Sequence, residues 1–187
     1  MGGSAAVDSR VLRFSGMAAS IGALLWAYKS VAILATGDQP DYLFEIAPLF
    51  FGLSVAALVY ALRSQLSRPS AVPAALAGIA AVGGTVAAVA YIVDGNDEGL
   101  FGPAMLGHVV SMVVLFFLIG GEIRRRGLLP RWSFAPWMLG WFFVLMIPVG
   151  GLLSAINERL LEISLLAVVA AWLVLSAATF GRPAAAA

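Results

Sequence analysis

The sequence predicts an all-α, polytopic integral membrane protein, a bundle of six transmembrane helices with the N-terminus and the C-terminus in the cytoplasm. Three observations predict it: the composition, a series of apolar stretches and the distribution of charge. Of the 187 residues, 61% are hydrophobic and only 11% are charged, against about 25% charged residues in soluble domains. The chain is therefore expected to lie in a lipid bilayer. The connections are short and the apolar share hardly varies, so we expect one domain over residues 1–187.

Six apolar stretches define the predicted helices. Each holds about 20 residues, which as a helix crosses a hydrocarbon core of about 30 Å. A helix is required because backbone polar groups in lipid need partners within their own segment. The first stretch follows Arg10 and Arg13 as the apolar part of a signal peptide would, but its length and Lys29 favour an uncleaved anchor helix. The six stretches are 14–36, 43–62, 72–93, 101–120, 134–153 and 160–180.

The charges between these stretches differ in sign from one side of the membrane to the other. The segments before helix 1 and after helices 2, 4 and 6 hold nine of the 11 basic residues, and the other loops are acidic, with Arg159 as their one basic residue. By the positive-inside rule the arginine-rich segments are cytoplasmic, which predicts a multi-pass protein of a bacterial inner membrane. We interpret the run EIRRRGLLPR as a topology determinant rather than as a nucleic-acid or anionic-lipid patch. The nine basic residues are Arg10, Arg13, Arg63, Arg68, Arg124, Arg125, Arg126, Arg131 and Arg182.

Four ionisable side chains fall inside the predicted helices, in the half of the membrane away from the cytoplasm: Lys29, Glu45, His108 and Glu162. At 1.5 Å per residue, Lys29 and His108 lie about 10 Å deep, and the two glutamates lie about 3 Å beyond the outer start of their helices. Cα–Cβ bonds tilt towards the helix N-terminus. The glutamates and His108 therefore lean towards the outer surface, whereas Lys29 leans towards the bilayer centre.

Lys29 is the costly residue, since a charge at the bilayer centre costs about 2.5–3.5 kcal/mol on insertion scales. Its helical face has small residues that permit close packing of a neighbouring helix: Ala18, Gly22, Ala32 and Thr36. The short turn GDQPD makes helices 1 and 2 antiparallel neighbours, so Glu45 is the preferred partner of Lys29, with His108 within reach. The pair is either purely structural or part of a functional pocket. Snorkelling of Lys29 into the headgroups is the third alternative.

The other two candidates have more local interpretations. Ser111 follows His108 by one turn, a pattern that favours an interhelical hydrogen bond over a proton carrier. Arg159 precedes Glu162 by three residues, which predicts a local surface pair. Glu45 and Glu162 also occupy the same place in the tetrapeptides LFEI and LLEI. This similarity reflects either duplication of a hairpin or chance.

Helix 3 contains a stripe of small residues, Ala80, Gly84 and Ala88, and no charge inside the membrane. Such stripes let helix backbones approach closely. We therefore expect helix 3 to lie at the centre of the bundle or at an interface with a second copy of the chain or another membrane partner.

The residue types that the sequence lacks limit its chemistry. It has no cysteine and a single histidine, which excludes thiolate sites and bis-histidine metal or haem centres within one chain. No Walker motif, GxGxxG fingerprint, HExxH or GxSxG is found. We expect no cofactor, no metal and no nucleic-acid partner.

Three functions remain open for this small multispan protein. The first is binding or transport of a small or amphipathic ligand, a small molecule or a lipid, in an outer-facing polar pocket where Lys29 attracts an anionic group. The second is a non-catalytic accessory or assembly subunit of a membrane complex, in which the charges fix helix register. The third is an intramembrane enzyme that uses Glu45 or His108 as acid or base on a lipid-soluble substrate. We favour the first and predict no catalytic residue.

Overall fold

The computed structural model describes residues 7–40, 45–67, 71–94, 99–129 and 132–180. They form six α-helices: α1 (Ser9–Thr36), α2 (Ala47–Leu62), α3 (Ala71–Asp94), α4 (Phe101–Arg126), α5 (Ala135–Ile156) and α6 (Leu161–Phe180). These ranges contain no β-strand, and a short 3₁₀ turn, Glu158–Leu160, precedes α6. Five helices are long and apolar enough to cross a membrane, and α2 is a shorter apolar helix of 16 residues. The prediction of an all-helical fold is confirmed for the described residues, and five of their helices are candidate membrane spans by length and composition.

Some of the sequence positions used above lie outside the described residues. They include the first two residues of the predicted second helix, 43 and 44, and six charged residues: Asp41, Arg68, Asp97, Glu98, Arg131 and Arg182.

Helices α1 and α4 extend furthest beyond their apolar stretches, because charged residues continue them outside the apolar window. Helix α1 begins at Ser9, ahead of the predicted start at 14, and the Asp8 carboxylate caps it by accepting hydrogen bonds from the backbone N–H groups of Arg10 and Val11, at 3.1 and 3.2 Å. Helix α4 continues past 120 to Arg126 and stops at Gly127, whose φ of 61° is left-handed.

The helices form a closed ring. Each helix packs against the next along the chain, and α6 packs against α1 to complete the circle. Short connections make consecutive helices antiparallel, so the described arginines outside Arg159 gather at one end of the ring. We call this the basic end, and it contains Arg10, Arg13, Arg63, Arg124, Arg125 and Arg126. The opposite end contains Gly37, Glu45 and Glu162.

Helix α2 is largely enclosed: it contacts α1, α3 and also α4 across the ring, and 11 of its 16 residues are buried. Its Phe51 is fully buried and stacks on Trp172 of α6, with ring centroids 4.3 Å apart. Phe116 of α4 and Phe143 of α5 meet the same tryptophan edge-on, at 5.8 and 6.4 Å. These four aromatic side chains, the aromatic cluster, fill the middle of the ring.

Helix α3 is not at the centre, which corrects one alternative predicted for it. In the described structure it contacts only α2 and α4. Its small residues face those two helices: Ala80 and Ala88 are buried, and a Cβ on Gly84 would clash with the carbonyl oxygen of Pro48. The stripe is therefore used for packing within the chain. A partner bound through helix 3 stays a prediction, and it would have to use the outer face, where Val82 is exposed.

Candidate functional site

Lys29 of α1 and Glu45 form the ion pair that the sequence predicts. Glu45 lies in a short 3₁₀ segment directly before α2, and the Lys29 ammonium donates a hydrogen bond to its Oε1. The two side chains are 17% and 4% exposed. The pair forms because α1 ends at Gly37, whose φ of 84° lets the chain reverse and lay α2 against α1.

Gln39 extends this pair into a network that the sequence analysis missed. Its Nε2 donates to Glu45 Oε1 at 2.8 Å and also to the hydroxyl of Tyr91 near the end of α3. Tyr91 is buried and packs edge-on against Phe101, with ring centroids 5.1 Å apart. No sequence spacing points to Gln39, because it lies in a loop whose path depends on the packing of three helices.

Glu162 does not form the predicted pair with Arg159. Its side chain is buried, and its Oε2 accepts a hydrogen bond of 2.6 Å from the hydroxyl of Ser30, which is also buried. The pair does not form because Glu162 is turned towards Ser30 of α1, whereas Arg159 lies in the 3₁₀ turn before α6 begins at Leu161. The Arg159 guanidinium instead lies over Gly37, where a Cβ would clash with it.

His108 makes the interhelical hydrogen bond that its position in α4 predicts, but it does not reach Lys29. Its Nδ1 lies 2.6 Å from the carbonyl oxygen of Ala80 on α3, and its Nε2 is buried without a partner among the described residues. Nδ1 is therefore the protonated ring nitrogen, and its N–H donates a hydrogen bond to the carbonyl oxygen. Ser111 donates to the carbonyl oxygens of Gly107 and of His108 itself, at 2.7 and 3.0 Å. His108 thus ties α4 to α3.

A half-open cavity of about 270 Å³ borders the ion pair. Its polar wall consists of Lys29, Ser30 and Glu45. The rest of its wall is apolar and comes from α1, α4, α5 and α6: Trp26, Phe101, Met105, Val109, Phe143, Met146 and Leu165. Phe143 also belongs to the aromatic cluster, so the cavity adjoins that cluster. Lys29, Ser30 and Glu45 lie towards the end of the ring opposite the arginines, so the cavity is on the side of the cluster away from the basic end.

A second, polar concavity of about 590 Å³ opens at the end of the ring near Gly37. Gln39 and Glu162 line it. Glu162 is hydrogen-bonded to Ser30, and Gln39 is hydrogen-bonded to Glu45. Ser30 and Glu45 also line the apolar cavity. Two hydrogen bonds therefore link the wall of the polar concavity to the wall of the apolar cavity.

The site offers hydrogen-bond donors beside an apolar chamber. A lysine ammonium has three N–H donors, and among the described residues Glu45 is its one recorded acceptor. The remaining donors suit an acceptor group on a ligand. No group of three His, Asp or Glu side chains in the described ranges is arranged to hold a metal ion.

Comparison with known proteins finds no matching family model, no similar curated protein and no similar solved structure.

Glu122 is a further buried carboxylate that the sequence analysis overlooked, at the basic end of α4. It accepts hydrogen bonds from the backbone N–H and the hydroxyl of Ser67, at 2.6 and 2.7 Å, and from Arg126 Nη1 at 2.9 Å. Arg126 also donates to the carbonyl oxygen of Gln65. The i, i+4 spacing of Glu122 and Arg126 was a usable signal. Glu122 fastens the segment after α2 to α4.

Proposed function

We propose that the chain is a single domain that crosses a bacterial inner membrane six times, with both termini on the cytoplasmic side. The five long apolar helices support this, together with apolar side chains that are exposed on the outside of the ring, such as Leu24, Leu106 and Ile147. Helix α2 spans about 24 Å at 1.5 Å per residue, less than a hydrocarbon core of about 30 Å. Its neighbours enclose it, so it does not have to match the bilayer alone. The arginines at the basic end support the orientation.

We further propose that the protein binds a small amphipathic molecule in the cavity beside Lys29. The observation that carries this proposal is that a partly buried ion pair lines a half-open cavity whose other walls are apolar. A purely structural pair gains most when protein atoms surround both charges, because a buried charge needs compensating contacts. Among the described residues Glu45 alone accepts from the ammonium, and a ligand in the cavity would accept from its other N–H donors.

The charges around the cavity favour an uncharged polar headgroup over an anion. Lys29 and Glu45 both line the cavity and compensate each other's charge as an ion pair. An anionic headgroup beside Lys29 would also lie close to the Glu45 carboxylate. A carbonyl or hydroxyl oxygen accepts a hydrogen bond from Lys29 without that repulsion, so we propose it in place of the anionic group expected from the sequence.

The cavity size and lining favour a short apolar body. Its volume of about 270 Å³ lies just below the range of about 300–1,000 Å³ typical of small-molecule pockets. Met105 and Met146 have flexible, polarizable side chains that adapt to irregular shapes. The aromatic cluster fills the ring between the cavity and the basic end, so the geometry favours binding over passage through the chain.

The proposal also bears on the enzymatic alternative. That alternative needs Glu45 or His108 beside the substrate as acid or base. Glu45 lines the cavity, whereas His108 is not among the described lining residues and bonds to α3 instead. A reaction in this cavity would therefore use Glu45 as its acid or base, without His108.

Titration of 2-octanone into the protein in lipid nanodiscs, with empty nanodiscs as the reference, tests the binding proposal by calorimetry. We expect saturable binding, and we expect octane, which lacks the acceptor, to bind much more weakly. Lys29→Met should weaken 2-octanone binding by about 10-fold or more, because a hydrogen bond to a charged donor contributes about 1.5–3 kcal/mol. Leu165→Trp should abolish it by filling the cavity with every charge retained. Binding that survives in both variants would remove the proposal.

A further inference from the structure

A third concavity, of about 490 Å³, lies between α4 and α5 at the basic end. Arg124 and Arg125 form its charged rim, and Trp137 forms its wall on the α5 side. The Arg124 guanidinium lies over the Trp137 ring, 5.2 Å from the centroid, which is within cation–π distance. This contact holds one cation in place at the edge of the concavity, whereas an unattached surface arginine would be free to move.

The charge of this rim is not cancelled by the carboxylate beside it. Glu122 also lines the concavity, but its Oε1 accepts hydrogen bonds from Ser67 and Arg126. Glu122 and Arg126 compensate each other as an ion pair with an N–O distance of 2.9 Å. Arg124 and Arg125 are exposed and have no acceptor recorded among the described residues. The concavity therefore has about two uncompensated positive charges.

The lower wall of the concavity is apolar and continues along the outside of the ring. Phe117 and Leu118 line it, and Phe117 packs edge-on against Trp141, with ring centroids 5.2 Å apart. Trp137 in turn packs edge-on against Trp141 at 5.9 Å. A molecule with its charge at the arginines would have its apolar part against these rings, in the region that the proposed topology places in the membrane.

Gly121 keeps the space open. Its neighbour Gly120 faces the backbone of Trp137, where a Cβ would lie 2.7 Å from the nitrogen, so α4 and α5 touch at that residue. A Cβ on Gly121 would meet no atom within 4 Å. The helices therefore meet closely at one residue and leave a recess at the next.

We propose that this recess binds the headgroup of an anionic phospholipid of the cytoplasmic leaflet. Its phosphate would lie between Arg124 and Arg125, and one acyl chain would lie along Phe117 and Trp141. Basic recesses between transmembrane helices on the cytoplasmic side suit anionic headgroups. The arginines then have a second role beside the topological one expected from the sequence. This site lies at the opposite end of the ring from Lys29 and does not depend on the binding proposed there.

Native mass spectrometry of the detergent-purified protein tests the site, with phosphatidylglycerol and phosphatidylcholine of identical acyl chains as probes. We expect the protein to bind phosphatidylglycerol more tightly. The double variant Arg124→Gln, Arg125→Gln should lose about 25-fold in affinity, since each arginine near an anionic headgroup contributes about fivefold. The matched control Arg10→Gln, Arg13→Gln removes two exposed arginines from the same end and should change affinity less than about twofold.

A steric pair of variants separates a built site from surface charge. Gly121→Leu fills the recess, keeps every arginine and should reduce phosphatidylglycerol binding as strongly as the double arginine variant. Gly107→Leu on the same helix also points into open space and should leave binding unchanged, and leucine favours the helix at both positions. Equal losses in the two arginine double variants, unchanged binding in Gly121→Leu, or inorganic phosphate binding as tightly as the lipid would each overturn the proposal.

Discussion

Replacing Lys29 by methionine removes the positive half of the buried pair with little loss of side-chain volume. The Glu45 carboxylate, whose side chain is 4% exposed, would keep Gln39 as its remaining donor. Breaking a buried pair by removing one partner costs about 3–5 kcal/mol. The side chain of Lys29 is 17% exposed and the adjacent cavity can admit water. We therefore expect Lys29→Met to lower the free energy of unfolding by about 2–3 kcal/mol, at or below the lower limit of that range.

The second change, Glu45→Gln, tests whether the loss comes from the ion pair. As a single change it should lower the free energy of unfolding by only about 1–2 kcal/mol, because the glutamine amide oxygen still accepts a hydrogen bond from Lys29. In the double variant the two neutral side chains leave no unpaired charge. We therefore expect the double variant to be more stable than the sum of the single changes predicts by about 1–3 kcal/mol, within the range of about 0.5–3 kcal/mol found for residues in direct contact.

Steric trapping in bicelles measures these free energies of unfolding without removing the bilayer. The matched control is the cycle Glu122→Gln with Arg126→Gln, a pair whose arginine side chain is 48% exposed. Its coupling should be only about 0.3–0.5 kcal/mol, as for other half-exposed helix pairs. If the Lys29 and Glu45 changes add to within about 0.5 kcal/mol, the pair contributes no coupling and the reasoning is refuted.

Two further changes test other contacts by thermal unfolding followed by circular dichroism. Gly84→Ala places a methyl group against the carbonyl oxygen of Pro48 and should destabilise the fold by about 1–3 kcal/mol. Gly78→Ala on the same helix meets open space and should be neutral or slightly stabilising, so equal behaviour of the two would contradict the close approach. Ser30→Ala leaves the buried carboxylate of Glu162 without its recorded donor and should cost about 1–3 kcal/mol. A melting temperature within error of the wild type would show that Glu162 finds another partner.

The sequence predicts the helices well because hydrophobic length depends only on consecutive residues. Each of the six apolar stretches contains a helix, and the pair predicted from the short turn between helices 1 and 2, Lys29 with Glu45, is present. The role of this pair as a ligand site stays a prediction. Helix ends are less predictable, because polar residues continue α4 to Arg126 and start α1 at Ser9.

Contacts between helices far apart in sequence are where the predictions fail. Glu162 binds Ser30, 132 residues away, instead of its neighbour Arg159. The helix register and the closure of α6 onto α1 decide this, and neither leaves a periodic signal. The stripe of small residues in α3 correctly predicts close packing, but it does not predict which helix packs against it. The cavity is likewise invisible in the sequence, since it is defined by side chains of four helices and the segment before α2.

The order of the ring explains why two glutamates in similar tetrapeptides have different partners. Helix α1 lies between α2 and α6, so Glu45 and Glu162 approach it from opposite sides. Adjacent residues on a helix point about 100° apart, which turns Lys29 towards Glu45 and Ser30 towards Glu162. One carboxylate therefore has an ammonium as its partner and the other has a hydroxyl. The pair that lines the cavity, Lys29 with Glu45, has no net charge, which is the reason for proposing an uncharged polar headgroup as its ligand.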